Sequence, residues 1–479
     1  MTMLEAAAKL AAMNIEDQNL VIEPCVFAAS QRRAPYTVLL GNYDLYRMMV
    51  DYQIDPPHAR VLREDRAGLD LSVDILEKNA TFPGQIYLPE EGTIIFANEP
   101  FANINGPYGL VQTQELKFQH AFDLNMTIAH RAMEMREAAG NNVRLSDYSY
   151  RRADSYERAL QIAWVALICG FDDTSNLDAA YEFDIEATGT MGHHWLQRFI
   201  KYARLENQQI DPRTGLPKHF EQIGFEKWLD AFPKGTTCLP DAFGLESGLR
   251  HLAMAATSTE ARRKALKNIR IDSGKDAADY AARIIYAWEK LQRWNLGNVG
   301  IIPSGDMSAQ MVRDIRAIIE RHDPPIKVRG WPFGTNLAVG SVVGVIFKLY
   351  QIGSEATMKI PDTLVKATQP GEIQIWRCAA DGKYVKDIMA RRSEPMPRGD
   401  DFDHAEALLK LFWGRGADQC VRRSLKDLKA FVQEQKNKFT VPLNEYPVVL
   451  STGLDALRGE TIALIGEDKN DYSILEPAA

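Results

Sequence analysis

Adjacent histidines, His193 and His194, follow the turn Gly189-Thr190-Met191-Gly192, directly after a strand-like segment. An imidazole at a strand end can act as a nucleophile or carry a proton. Neighbouring side chains point apart and no His-x₃-His spacing accompanies them, which argues against a metal pair. Further on, Arg270 leads into Asp272-Ser273-Gly274, and Ser304-Gly305-Asp306 follows the apolar run 298–302. A carboxylate offers two acceptor oxygens, which suits vicinal ribose hydroxyls. The alternative for Asp272 and Asp306 is helix N-capping, though capping alone does not require the cation Arg270. Gly334-Thr335 precedes an apolar run beginning at Leu337. If that run opens as a helix, its free N–H groups suit a phosphate monoester; otherwise the pair is an ordinary turn. Arg151 and Arg152 lie just ahead of a helix start, where positive charge opposes the helix dipole, so they favour an anion-facing role. These residue types point to an enzyme acting on a phosphorylated sugar.

The elements that must position them alternate. Runs at 268–271, 298–302 and 326–328 read as strands, each ending in one of these clusters. Residues 184–187 and 236–239 add two more strand-like runs, the second leading to Asp241. Tyr280, Ile284, Trp288 and Leu291 form one face of a helix between strands, and Met311, Ile315 and Ile318 one face of the next. Repeated strand–cluster–helix units predict an α/β fold with a closed β/α barrel, whose ligands gather at the carboxyl ends of the strands. Elsewhere, strands are expected at 36–40 and 93–96, with helices through Tyr46, over 112–139 and over 155–169. Past Tyr350 the texture changes to loop and strand over 357–377, then to a mostly helical 405–438.

A chain of 479 residues implies two domains. A net charge of −8 argues against general nucleic-acid affinity, so an anionic ligand needs a local cluster of cations. Five widely separated cysteines fit a reducing compartment better than a disulfide framework. The amino terminus carries Glu5 and Lys9 and lacks a basic start, unlike a secretory signal. The longest apolar run, 337–347, is too short to span a bilayer. The expectation is a cytoplasmic protein without membrane or nucleic-acid partners.

Read together, these segments resemble the nicotinate phosphoribosyltransferase family. Phe96-Ala97-Asn98-Glu99-Pro100 with Gly106-Pro107 is similar to its "FxNEP…GP" stretch, and Tyr43-Asp44-Leu45-Tyr46 to "TDLYQ". Residues 147–152 resemble "DFGxRR", 170–176 "GFxGTSN" and 189–195 "GTxAHxW". Residues 270–274 give "RxDSG", 304–306 "SGD" and 331–337 a form of "FGxGTxL". The agreement continues at Phe347-Lys348-Leu349, at Lys366 with Pro370-Gly371, and over 446–451, in family order.

The resemblance implies an irregular TIM-like β/α barrel (146–349) packed on an α/β domain built from both chain ends (1–145 and 350–479). It implies transfer from 5-phosphoribosyl 1-diphosphate to nicotinate in NAD salvage, with Mg²⁺, and with ATP as co-substrate through a phosphohistidine. The expected assembly is a homodimer whose active site is shared across the interface. By position His193 would accept the phosphate. Tyr46 from the partner and Tyr148 would stack on the pyridine. Arg270 would face base and diphosphate, with Asp272, Ser304 and Asp306 near the ribose. Gly334 and Thr335 would take the 5′-phosphate, with Thr190, Arg151 and Arg152 also binding substrate; metal ligands stay open. The sequence departs from the family pattern at Lys275 (usually Asp), at Gly192 (usually Ala) and at His194 (usually acidic or Ser). A nicotinamide-using enzyme, with Asp147 contacting the amide, and a non-catalytic nucleotide-binding relative are the alternatives.

Overall fold

The structure is a computed structural model that describes residues 23–52, 56–65, 74, 77–79, 81–361, 367–415 and 420–466. Glu5, Lys9 and Lys366 lie outside the described residues. The chain divides into two compact units, residues 131–341 and residues 1–130 with 342–479. Among the described residues no helix is long and apolar enough to cross a membrane.

The 131–341 unit is built on parallel strands in two sheets of three. In one, Leu266–Ile271 lies between Thr236–Cys238 and Gly300–Pro303. In the other, Arg144–Asp147 lies between Asp173–Thr174 and Gly330–Phe333. The expected single closed sheet is therefore not what the ladders form. Single backbone bonds approach the gaps between the sheets: Arg329 N–H donates to Ile301 O (2.9 Å), and Met191 N–H to Thr237 O (3.4 Å). The run 184–187 contributes only an isolated bridge, Ala187 with Thr174. The strand expected at 326–328 sits instead at Gly330–Phe333. Trp331 and Phe333 are fully buried there and the strand pairs with Arg144–Asp147, so core volume and pairing override the β-branched run before it.

Helices follow the strands where the sequence supplies caps. Asp276 Oδ1 accepts the Asp279 N–H (2.9 Å) ahead of Ala277–Arg293, and Ser308 Oγ accepts the Met311 N–H (3.1 Å) ahead of Ala309–Ile319. Tyr280, Ile284 and Leu291 face inward as expected, while Trp288 is only half-buried. In the second helix the buried stripe is Val312, Ile315 and Ile319, with Ile318 exposed. Ile315 is buried as expected, while Val312 and Ile319 take the buried places expected for Met311 and Ile318.

The other unit holds a six-stranded sheet with Pro24–Gln31 flanked by Val345–Ile352 and Pro100–Pro107, all antiparallel. A four-stranded sheet carries Ile373–Ala380 and Lys383–Arg391 at its centre. The segment 405–438 is not mostly helical: His404–Ala407 and Lys410–Trp413 are strands, and the helix is Leu425–Lys436. These strands pair with residues far away in sequence, Trp376 with Ala407 and Leu88 with Lys410, information that local pattern does not carry.

Glu99, Asp387 and Arg377 meet in this unit's interior. Arg377 binds Asp387 through two bonds (Nε–Oδ1 3.0 Å, Nη2–Oδ2 2.6 Å), and Tyr446 donates to Asp387 Oδ1 (3.0 Å). The Phe96 ring stacks on Tyr446 at 4.5 Å, and Phe96 N–H donates to Glu99 Oε2 (2.8 Å). Asn98 sits at φ +64°, a left-handed conformation that Asn tolerates. The Phe96–Pro100 stretch is thus a structural corner.

Burial holds the Glu99 carboxyl well above the usual carboxylate range, Asp387 adds to this, and Arg377 opposes it. A carboxyl raised on folding stabilises the fold fully below its unfolded value (~4.3), and that contribution is lost as pH rises through the folded value. Glu99→Gln, which keeps a donor toward Asp387, is therefore expected to flatten the fall in stability with rising pH by up to about 1.4 kcal/mol per pH unit. Denaturant titrations of wild type and variant at several pH values check this; identical slopes would show that Glu99 does not titrate there.

Candidate active site

Parallel strands place their carboxyl ends along one edge of each sheet, and the residues singled out by their chemistry follow those ends. Thr236–Cys238 is followed by Pro240 and Asp241, Leu266–Ile271 by Asp272, and Gly300–Pro303 by Ser304. Arg144–Asp147 is followed by Tyr148, and Gly330–Phe333 by Gly334.

Asp241 is the junction. Its Oδ1 lies 3.0 Å from His193 Nε2. Its Oδ2 accepts the Asp272 N–H (2.7 Å) and the Ser273 hydroxyl (2.9 Å). The Asp241 side chain is 1% exposed and that of His193 39%. An ionised carboxylate only accepts, so the neutral imidazole carries its proton on Nε2 and its lone pair on Nδ1. Gly248 explains how Asp241 is held: a Cβ there would lie 1.6 Å from Pro240 O, so only glycine lets the helix Leu245–Ala256 seat on the residue before Asp241.

Asp272 extends the network. Arg270 Nη2 donates to its Oδ2 (2.9 Å) and Ser304 Oγ to its Oδ1 (2.7 Å). Tyr280 fixes the next strand end by donating to Ser304 O (2.8 Å). Gly305, at φ +95°, lies against Asp272 and Tyr280, and Asp306 follows at φ +33°. Asp306 Oδ1 accepts from Thr335 Oγ1 (2.8 Å), which in turn accepts from Arg152 Nε (3.1 Å). Hydrogen bonds thus join His193, Asp241, Asp272 and Ser304 in one group and Asp306, Thr335 and Arg152 in another, the two connected through the turn 304–306. Neither Asp272 nor Asp306 caps a helix, since Asp276 and Ser308 perform that task.

The remaining predicted residues are more dispersed. The Tyr148 ring lies 6.0 Å from the Arg270 guanidinium, and burial raises its phenol while Arg270 opposes that shift. Thr190 and Tyr148 line an interior cavity of about 1230 Å³, which the other predicted residues do not line. Arg151 is exposed on the short helical turn Tyr150–Arg152. The helix expected after Gly334 is the single turn Thr335–Ala338, so its dipole is small and the N–H groups matter more. Tyr46 belongs to the other unit, on the helix Asn42–Val50, edge-on to Trp413. Asp147 is buried and occupied, accepting from Ser149 N–H (2.8 Å) and Thr174 Oγ1 (2.7 Å).

Sequence reading gave Asp241 no role. Its signal is an acidic residue three positions past a strand end, the placement that Asp306 shares, while Asp272 follows its strand directly. Two departures from the family pattern explain one another. A Cβ at Gly192 would meet the His194 ring at 2.6 Å, so the missing methyl makes room for the larger neighbour. Lys275 is exposed, with its backbone N–H donating to Asp279 Oδ2 (2.9 Å).

Parallel strand ends, an imidazole backed by a buried carboxylate and an Arg–Asp pair define a β/α-type enzyme site suited to an anionic sugar substrate. Residues 143–320 match the model of the "Nicotinate phosphoribosyltransferase (NAPRTase) family". Nicotinate phosphoribosyltransferase 1 of Arabidopsis thaliana is 24% identical over 467 residues, covering 85% of this chain and 82% of its own. The Bos taurus nicotinate phosphoribosyltransferase is 24% identical over 426 residues, 77% of this chain and 78% of its own. The fold is similar to the crystal structure of human nicotinic acid phosphoribosyltransferase, with TM-score 0.68, 19% identity and coverage of 96% of this chain and 99% of that one. It is also similar to nicotinate-nucleotide pyrophosphorylase from Pyrococcus furiosus, with TM-score 0.67, 17% identity and coverage of 91% and 94%. The chain is thus similar to curated nicotinate phosphoribosyltransferases over most of its length, and it shares their fold.

The site's integrity rests on Pro240 and Gly248. Gly248→Ala is expected to lower stability by about 3 kcal/mol, since neither backbone can yield. Gly459→Ala, in a helix with open space around it, should be neutral or stabilise by up to about 1 kcal/mol. Thermal denaturation of both variants checks this; equal effects would mean that helix and loop are not in contact.

Proposed function

We propose that the chain transfers the 5-phosphoribosyl group of 5-phosphoribosyl 1-diphosphate to nicotinate, giving nicotinate mononucleotide and diphosphate for NAD salvage in the cytoplasm. The observation that carries the choice of base is Arg270. Its Nη2 is held by Asp272, while its Nε is buried with no hydrogen-bond partner. An unpaired buried donor costs about 1–3 kcal/mol, and a carboxylate beside it recovers that cost. Nicotinate supplies a charged carboxylate, which binds a guanidinium more strongly than the neutral carbonyl of nicotinamide does. Asp147, the residue that would have received an amide N–H₂, is buried and already accepts one hydrogen bond on each oxygen. The two hydrogen-bonded groups that hold His193, Asp241 and Asp272, and Asp306 with Thr335, weigh against a non-catalytic relative.

In this reading the two sheets act as an irregular barrel, closed at its seams by single backbone bonds. Asp272 and Asp306 orient the ribose hydroxyls, and the backbone of Gly334 and Thr335 with Arg152 takes the 5′-phosphate. Ser304 and Tyr280 hold the Asp272 carboxylate in place. Tyr148 packs against one face of the pyridine, with Tyr46 of a second copy on the other in a homodimer. Bond breaking at the anomeric carbon develops positive charge on the sugar and negative charge on departing diphosphate. Arg270 and Lys275 place cations near that leaving group, and the family's missing acid at 275 becomes a diphosphate contact. Carboxylates at Asp272 and Asp306 fit a hydrated Mg²⁺ carried by the diphosphate, which would neutralise its charge.

ATP assistance is part of the proposal. Asp241 holds the His193 proton on Nε2, leaving Nδ1 as the nucleophile toward the γ-phosphate. The N–P bond forms as the bond to ADP breaks, and Asp241 stabilises the imidazolium that results.

Purified protein should turn over nicotinate at least about tenfold faster than nicotinamide in kcat/KM, a difference of about 1.4 kcal/mol. A preference for the amide would overturn the base assignment. His193→Ala should lose ATP stimulation and the label transferred from γ-phosphate-labelled ATP. Equal labelling of the variant would move the acceptor role to His194.

A further inference from the structure

A second cluster in the 131–341 unit has no part in the chemistry above. His219 precedes the helix Phe220–Ala231 and caps it, its Nδ1 accepting the Glu221 N–H at 3.4 Å. Ser247 and His251 stand one turn apart on the helix Leu245–Ala256. All three side chains converge on one oxygen: Glu221 Oε2 lies 3.5 Å from His219 Nδ1, 3.1 Å from His251 Nδ1 and 3.1 Å from Ser247 Oγ. The two imidazoles stack with centroids 3.8 Å apart and planes 9° from parallel. Glu221 is completely buried, and its other oxygen, Oε1, has no hydrogen-bond partner.

This is not a hydrolytic Ser-His-Glu relay. Such a relay uses opposite nitrogens of the ring, whereas Ser247 and Glu221 both approach Nδ1 of His251. A simple ion pair also fits poorly. Among the described residues no lysine or arginine forms an ion pair with Glu221. A buried carboxylate is costly unless hydrogen bonds or a cation compensate it; Glu221 Oε1 has no such partner, and two nitrogen donors beside the group are the ligand types that transition metals select.

We propose that His219, Glu221 and His251 form a binding site for a divalent transition metal of the zinc class, with Ser247 or water as a fourth ligand. Ligands about 2.0–2.1 Å from a tetrahedral ion stand about 3.3 Å apart, and the 3.1 and 3.5 Å spacings here bracket that value. Parallel rings cannot both aim a lone pair at one ion, so binding splays the His219 ring, the more exposed of the two at 38% against 19%. The role is structural: the ion ties the start of Phe220–Ala231 to Leu245–Ala256. That second helix seats on Pro240, beside the Asp241 carboxylate that holds His193. The proposal depends on neither the base nor the reaction assigned above.

The test uses full-length protein without a histidine tag, stripped with a chelator and titrated with Zn²⁺ and Co²⁺. One equivalent of Zn²⁺ per chain should be retained after dialysis and should raise the thermal midpoint. Co²⁺ at the site should show the visible absorption of a low-symmetry nitrogen–oxygen ligand set, and excess Mg²⁺ should displace neither ion. His251→Ala should lose the equivalent and the thermal shift. So should His219→Asn, which keeps an N-cap acceptor and so tests the site even if His251→Ala fails to fold. Wild type without stoichiometric Zn²⁺, or either variant retaining it, would overturn the site and leave a shared proton as what compensates Glu221.

Discussion

One buried carboxylate ties the active site together. Asp241 accepts three hydrogen bonds, one from the imidazole of His193 and two from the backbone and side chain that open the Asp272 loop. Each oxygen serves a different part: Oδ1 sets the tautomer of the histidine and Oδ2 sets the position of the turn that opens at Asp272. Removing the charge would leave a backbone N–H and a hydroxyl without their acceptor in a dry site, which costs more than any single contact contributes. The requirement reaches back into the packing. Asp241 can be placed only because Pro240 is pinned by a helix that carries glycine at the point of contact.

Much of this arrangement was legible in the sequence because strand ends write themselves in short polar clusters. Asp272, Ser304, Asp306 and Thr335 belong to motifs whose residue types make little sense in a turn that merely reverses the chain. What sequence could not supply was pairing. The shift from 326–328 to Gly330–Phe333 came from Arg144–Asp147, almost two hundred residues earlier. The strands His404–Ala407 and Lys410–Trp413 likewise exist because distant partners complete their ladders. Asp241 stands at a strand end in the sequence, yet its role is hidden there for a related reason. Its strand, Thr236–Cys238, is three residues long, and its partners His193 and Asp272 become neighbours only once the parallel strands are side by side.

The departures from the family pattern acquire meaning in the same way. Gly192 and His194 are one change, a lost methyl accommodating a larger ring, and neither disturbs the contact between His193 and Asp241. Lys275 reverses a charge beside the site, yet its backbone is anchored to Asp279 as a turn into a capped helix requires. The Phe96–Pro100 stretch illustrates the opposite lesson. Its agreement with the family reflects a buried corner around Asp387, Arg377 and Glu99, where unpaired charge would be intolerable. Motif agreement therefore mixes two kinds of constraint, and only geometry separates the residues that meet substrate from those that hold the scaffold.

A crystal structure with nicotinate mononucleotide bound tests the central claim most directly. The account predicts the ribose between Asp272 and Asp306, the 5′-phosphate on the backbone of Gly334 and Thr335, and the pyridine carboxylate at Arg270, with His193 still bonded to Asp241. A nucleotide seated wholly in the interior cavity, or a His193 turned away from Asp241 in the complex, would contradict it.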